Sequence, residues 1–245
     1  MDLEKQPEIV NLHTQVKAYL LINLPTLGHG YHHLCKVAQN AYRLAIDNDA
    51  DEKVAYIAGL LHDIYRPAKG EGGKEDHEDV CAEIAPSILE SSGLTNVIDE
   101  VVAVIRNHDE DIIGGVGTVL QQILSVADKS ELSLDRMMAY AWASNQYLMA
   151  EGKIPRYTNF QKLIEDFDAY RAKANAVFLR IAIKGLEEAV RAYEKAYDDL
   201  HKFTEYEKKG RAEWNTIMNL AVQREVNKEK ALLQDGIVRT YARTL

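Results

Sequence analysis

Apolar residues along this chain recur at intervals of three and four, and clean two-residue alternation is hard to find, so helices are the predicted elements almost throughout. The pattern predicts a first helix over about 9–23, closed by Pro25. A glycine-flanked turn follows, Thr26-Leu27-Gly28-His29-Gly30-Tyr31. The next helix covers about 32–48, with Val37, Ala41, Leu44 and Ala45 inward. Another covers about 52–63, with Val54, Ile57, Ala58 and Leu61 inward. Residues 67–76 hold three glycines and two lysines and are expected to form a surface loop. Asp76 is placed to cap a helix running to about 90, which Ser91-Ser92-Gly93 ends. Thr95 is placed to cap a helix to about 107. The glycine-rich stretch 114–117 then precedes a helix over about 118–132.

Beyond Asp135 the character changes. Small and aromatic residues fill a helical pattern over about 135–152. Residues 159–198 hold one long pattern or two, with Val177, Ile181, Leu186 and Val190 as core positions and Gly185 as a break. Residues 201–245 are more charged and read as one or two terminal helices. The expected fold class is all-α. The unusual residues gather in 1–140, and 141–245 reads as a helical extension packed on that part, with a boundary so weakly marked that one domain fits as well.

Composition bounds the function. With 47% apolar and 27% charged residues the chain has the makings of a packed core. A net charge of −9 leaves no basic surplus for nucleic acid, yet a small phosphorylated substrate remains compatible, because a bound cation reverses the local sign. Cys35 and Cys81 form no CxxC pair, so a reducing cytoplasm is the expected location. Residues 1–7 carry no signal-peptide pattern, and no stretch approaches the roughly 18–20 apolar residues of a membrane span. The amount of helical surface admits homo-oligomers.

The chemistry comes from which ionisable residues share the apolar helical faces. His33 lines up with Val37, Ala41 and Leu44; His62 with Val54, Ala58 and Leu61, and Asp63 follows it. His77 lines up with Val80, Cys81, Ile84 and Ile88; His108 with Val101, Val104 and Ile105; Asp128 with Leu120, Leu124 and Ala127. One inward histidine is more often a hydrogen-bonded core residue than a ligand. Five successive patterns doing this together point to a shared cation, because each unpaired buried charge costs several kcal/mol. Imidazole nitrogen plus carboxylate oxygen, without thiolate, suits Mn²⁺, Fe, Co²⁺, Ni²⁺ or Mg²⁺ better than a structural Zn²⁺. Six such groups exceed the needs of one catalytic ion and are about right for two bridged by a carboxylate.

The order of these residues resembles the HD-domain metal-dependent phosphohydrolase superfamily. His33-Leu34-Cys35-Lys36-Val37 is similar to its first motif, Leu60-Leu61-His62-Asp63-Ile64 to the signature that names it, and Val126-Ala127-Asp128-Lys129 to its closing motif. The resemblance covers about 25–135. It implies an all-helical bundle with His33, His62, Asp63 and Asp128 as ligands of one divalent metal. His77 and His108 sit where dinuclear relatives supply ligands for a second, with Asp63 as the bridge. Some of those relatives carry a His-His pair where this chain has His108-Asp109. One or two metals both remain open.

The expected reaction is hydrolysis of a phosphoester or phosphoanhydride of a small molecule, a nucleotide among the candidates, by a hydroxide that the metal makes available. Asp63 is placed to orient the water or take its proton, and Lys129, beside Asp128, to meet a phosphoryl oxygen; these two are the expected catalytic residues. Arg66, Lys69 and Lys74 are further phosphate partners, although the loop lysines fit equally well as solvated surface charges. His29 and His32 flank His33 and are candidate substrate contacts. Two other readings stand beside this one: a dinuclear iron HD-type oxygenase cleaving a C–C or C–P bond, and a non-catalytic HD module that binds a ligand or oligomerises. Tyr140, Trp142, Tyr147, Tyr157, Phe160 and Phe167 either line a substrate pocket or pack two helical layers, with packing the favoured role.

Overall fold

A computed structural model describes residues 2–23, 25–66, 77–106, 108–202 and 211–233, with only the backbone at Glu110, Phe160, 211–215 and 230–233. Among the described residues there are eleven α-helices and no strand. They are α1 (Pro7–Ile22), α2 (Tyr31–Asp47), α3 (Glu52–Leu61), α4 (His77–Ser92), α5 (Ile98–Ile105) and α6 (His108–Gly114). Then come α7 (Val119–Ser130), α8 (Leu134–Ala150), α9 (Phe160–Phe178), α10 (Leu186–Lys202) and α11 (Arg211–Leu233).

Local chemistry sets the helix starts. Pro7 opens α1 at a position where a missing N–H costs nothing. Asp51, Ser133 and Asn159 accept main-chain N–H groups at the starts of α3, α8 and α9. Thr118 and Gln121 form a reciprocal capping box at α7. The expected helix from Thr95 to about 107 needs correction. Thr95–Val97 is a single 3₁₀ turn, α5 ends at Ile105, and the extended backbone of Arg106 stops it. His108 therefore begins a new short helix, α6, instead of ending the old one. The long pattern over 159–198 resolves into two helices. Gly185 takes φ +88° one residue before α10, in a turn region that a β-carbon would strain. The loop over 67–76, including the Asp76 cap, lies outside the described residues.

α2 and α3 form the most extensive helix pair. Their axes approach closely because Gly59 faces Ala38. A β-carbon on Gly59 would stand 2.7 Å from Ala38 Cα and 2.8 Å from its backbone N. α7 packs on both helices, α5 on α3, and α4 on α1 and α5. One continuous core joins these helices to α8, α9 and α10 through Met138, Leu163, Val177, Tyr193 and Leu200, all buried. α11 lies on α8 and α2 over a smaller apolar cluster, Leu27, Ala139, Val222 and Val226.

A polar tie fixes α2 and α3 to α1. His13 Nδ1 is 2.6 Å from Tyr31 Oη and its Nε2 is 2.8 Å from Tyr56 Oη. Tyr56 Oη also donates to Glu4, so it receives its proton from His13 Nε2, and Nδ1 accepts from Tyr31. Burial pushes the His13 pKa down and keeps the ring neutral. His13→Ala should cost about 1–3 kcal/mol of stability near neutral pH, measured by urea unfolding. The depressed pKa means the unfolded chain takes up more protons at acid pH. The wild-type advantage over the variant should therefore shrink as pH falls below about 6.5. An advantage independent of pH would contradict the neutral bridge.

Candidate metal centre

The ends of three helices converge at one point. His33 lies in the first turn of α2, His62 and Asp63 directly follow α3, and Asp128 lies in the last turn of α7. Each of these four residues offers a ligand atom within 4.8 Å of all the others. His33 Nε2 stands 3.3 Å from Asp128 Oδ1 and 3.7 Å from Asp63 Oδ2. His62 Nε2 stands 3.6 and 3.7 Å from the same two oxygens. Donors held about 2.0–2.2 Å from one ion stand roughly 3–3.5 Å apart, so the spacing fits a shared cation.

Burial and hydrogen bonding point the same way. His33, His62 and Asp63 are at most 4% exposed. The His62 Nδ1–H donates to the Gly59 carbonyl at 2.9 Å, which turns Nε2 toward the cluster. That Nε2 and Asp63 Oδ1 are buried with no hydrogen-bond partner among the described residues. Burial by itself would raise the Asp63 carboxyl, but Arg66, His62, His33 and His77 outweigh it and hold the pKa well below the carboxylate range. For Asp128 burial is likewise outweighed, here by His33 and His62. Burial favours a neutral His62, yet Asp63 and Asp128 prevail and raise its pKa. Two carboxylates with lowered pKa values, one buried and one about one-fifth exposed, thus call for positive charge at this point.

Asp63 divides its two oxygens. Oδ2 faces His33 and His62, with His29 Nε2 at 3.9 Å, while Oδ1 faces His77 Nε2 at 3.3 Å and Arg66 Nη1 at 3.5 Å. His77 is about one-fifth exposed, and burial lowers its pKa despite the pull of Asp63. Alongside lies a second cluster, Glu78, His108 and Asp109. The His62 and His108 ring centres are 6.5 Å apart. His108 Nδ1–H donates to the Ile105 carbonyl at 3.0 Å and so aims Nε2 away from its own helix, as in His62.

A match to the HD domain family model runs over residues 30–132. Residues 30–132 are an HD domain. No curated protein and no solved structure shows significant similarity to the chain. HD domains bind divalent metals and are generally hydrolases, and the His/Asp groups of this one could hold such an ion. No helix among the described residues is long and apolar enough to cross a membrane.

The remaining expected residues divide. Lys69 and Lys74 lie outside the described residues. Arg66 and His29 line a cavity of about 310 Å³ that His62, Asp63 and Asp128 also line. His32 does not line it; its backbone N–H donates to Glu229 on α11, and burial lowers its imidazole pKa to about 4. Lys129 borders the cavity, but its ammonium donates to both oxygens of Asp109, at 2.7 and 2.8 Å, and to Ser125 Oγ at 2.9 Å. Its first role is to neutralise Asp109, whose pKa burial would raise but Lys129 and His108 hold low. Of the aromatic residues, Tyr140, Tyr157 and Phe167 line the cavity, with Tyr157 and Phe167 also in the core. Trp142 packs against both apolar clusters, and Tyr147 is exposed.

Sequence patterns missed several residues here. Glu78 and Asp109 join the second cluster, and Arg136, Tyr170, Lys173 and Tyr193 line the cavity from α8, α9 and α10. Arg136 is the most informative of these. It is 8% exposed, donates from Nε to the Gly28 carbonyl at 2.7 Å, and brings Nη2 within 3.4 Å of His33 Nε2. Its only sequence signal is a cation seven residues past the last HD motif.

Lys129→Met should cost about 3–5 kcal/mol in denaturant unfolding, because it leaves Asp109 charged and buried. Adding Asp109→Leu to that variant should recover most of the loss. A single variant as stable as the wild type would show that the pair does not hold this wall of the site.

Proposed function

We propose that the protein is a metal-dependent phosphohydrolase acting on a small phosphorylated molecule. The observation that carries the proposal is the tight His33, His62, Asp63 and Asp128 cluster, of which His62, Asp63 and Asp128 line a cavity that Arg66 and Arg136 also line. A divalent cation held by those four residues would acidify a water and withdraw charge from a phosphoryl oxygen. Asp63 turns Oδ1 toward His77 and Arg66 and Oδ2 toward His33 and His62, where the carboxylate can orient that water and receive its proton. Arg66 and Arg136 suit the remaining phosphoryl oxygens, since a planar guanidinium can offer paired donors. Tyr140, Tyr157, Phe167 and Tyr170 would meet the rest of the substrate, and a nucleoside is one body that such a wall accommodates.

One observation favours a second reading, an oxidative dinuclear centre. Asp63 turns its second oxygen to His77, and Glu78 and His108 stand beside it. The Lys129 ammonium on Asp109 weighs against it, because one carboxylate of that second cluster is already neutralised.

The test is to strip the protein with a chelator, restore Mn²⁺, Fe²⁺, Co²⁺, Ni²⁺ or Mg²⁺ singly, and measure phosphate release from nucleotides and sugar phosphates. Metal-restored phosphate release should fall by at least about 100-fold in Asp63→Asn. Activity that required both ferrous iron and oxygen, with no phosphate released, would place the chemistry in the oxidative class instead.

A further inference from the structure

The segment that carries His29 and His33 is gripped from outside the HD domain. α2 starts at Gly30, which has no side chain to cap the free N–H groups of the first turn. A carboxylate from the far end of the chain takes that place. Glu229 on α11, itself 5% exposed, accepts from the His32 backbone N–H at 2.9 Å and also from that of Tyr31. It sits so close that a β-carbon on Gly30 would fall 2.5 Å from Glu229 Oε1. Glycine at the start of α2 and glutamate on α11 are therefore complementary.

The second grip comes through α8. Arg136 holds the Gly28 carbonyl and reaches His33. Its neighbour Asp135 is bound by both Arg224 Nε and Nη2, at 2.7 and 2.6 Å, from α11. Leu27 at the base of the turn packs with Val222 and Val226 of the same helix. α11 thus touches the 27–33 segment directly and also steadies the arginine that holds it. Arg136, Arg224 and Glu229 all lie beyond the matched HD segment.

We infer that Glu229 is a positioning residue for the metal centre: it replaces the missing cap of α2 and so sets where His33 and His29 stand. The inference rests on His33 being a metal ligand. Burial pushes the Glu229 carboxyl up to about 7 against the pull of the two N–H groups, with Glu225 raising it further and Lys228 lowering it. Its Oε2 is buried with no hydrogen-bond partner among the described residues. The fold retains this costly group at one place, the start of the helix that presents His33.

The full-length chain tests this with Glu229→Ala, Glu229→Gln and a control, Met218→Ala, which removes a buried core side chain from α11 away from the turn. Mn²⁺ affinity is measured by chelator competition, and thermal midpoints are recorded without metal. Glu229→Ala should weaken Mn²⁺ binding by about 10–100-fold. Glu229→Gln should stay within a few-fold of the wild type, because its amide oxygen still accepts from His32. Met218→Ala should lower the midpoint and leave affinity unchanged. Hydrogen exchange at the first-turn amides of α2 should speed up in Glu229→Ala alone. If the wild type binds Mn²⁺ and Glu229→Ala binds it equally well, or loses affinity only in proportion to stability as Met218→Ala does, the positioning role is wrong. A wild type that takes up no metal overturns the site reading, and this inference with it.

Discussion

The structure depends on two carboxylates held in the ionised form at one point, Asp63 buried and Asp128 about one-fifth exposed. Asp63 and Asp128 lie within ligand distance of each other's histidine partners, and together they demand positive charge. The imidazoles of His33 and His62 meet that demand in part. Arg66 and Arg136 meet more of it from the cavity side. At the centre, Asp63 Oδ2 and Asp128 Oδ1 face the Nε2 atoms of His33 and His62, a donor set of the kind that holds a divalent ion. HD domains bind divalent metals, and the proposal of a metal-dependent phosphohydrolase draws on these electrostatics as well as on the family match.

The packing around this point serves to hold helix ends together. His33 and His62 come from neighbouring helices whose backbones touch at Gly59 and Ala38, three residues before His62. His13 ties both helices to α1 through two tyrosine hydroxyls. Lys129 and Ser125 fix Asp109 on the opposite wall, so α6 and α7 stay in register beside the second cluster. The C-terminal helices are then part of the site. α8, α9 and α10 give the cavity its arginine and aromatic walls, and α11 closes over the start of α2.

Much of this was legible in the chain. The three-and-four periodicity located most of the helices, and the helical faces singled out six ionisable residues, four of which bring ligand atoms within 4.8 Å of one another. His77 Nε2 stands 3.3 Å from Asp63 Oδ1, and the His108 ring lies 6.5 Å from that of His62. The misses have physical causes. An extended residue at Arg106 interrupts an apolar pattern that periodicity would continue, so α6 and the buried placement of Asp109 were invisible. Lys129 looked like a substrate contact because of its neighbour, whereas its partner comes from a different helix. Long-range pairs such as Arg136 with Gly28, or Glu229 with His32, leave no spacing signature, because the two residues are separated by 108 and 197 positions.

The most direct measurement is a metal titration of the chelator-stripped protein by calorimetry, in parallel with a variant carrying both His62→Ala and Asp63→Ala. The account predicts at least one tight equivalent of a divalent ion in the wild type, a rise in thermal midpoint on binding, and loss of both in a variant that remains helical by circular dichroism. A wild type with no stoichiometric binding and no metal-dependent stabilisation would contradict it.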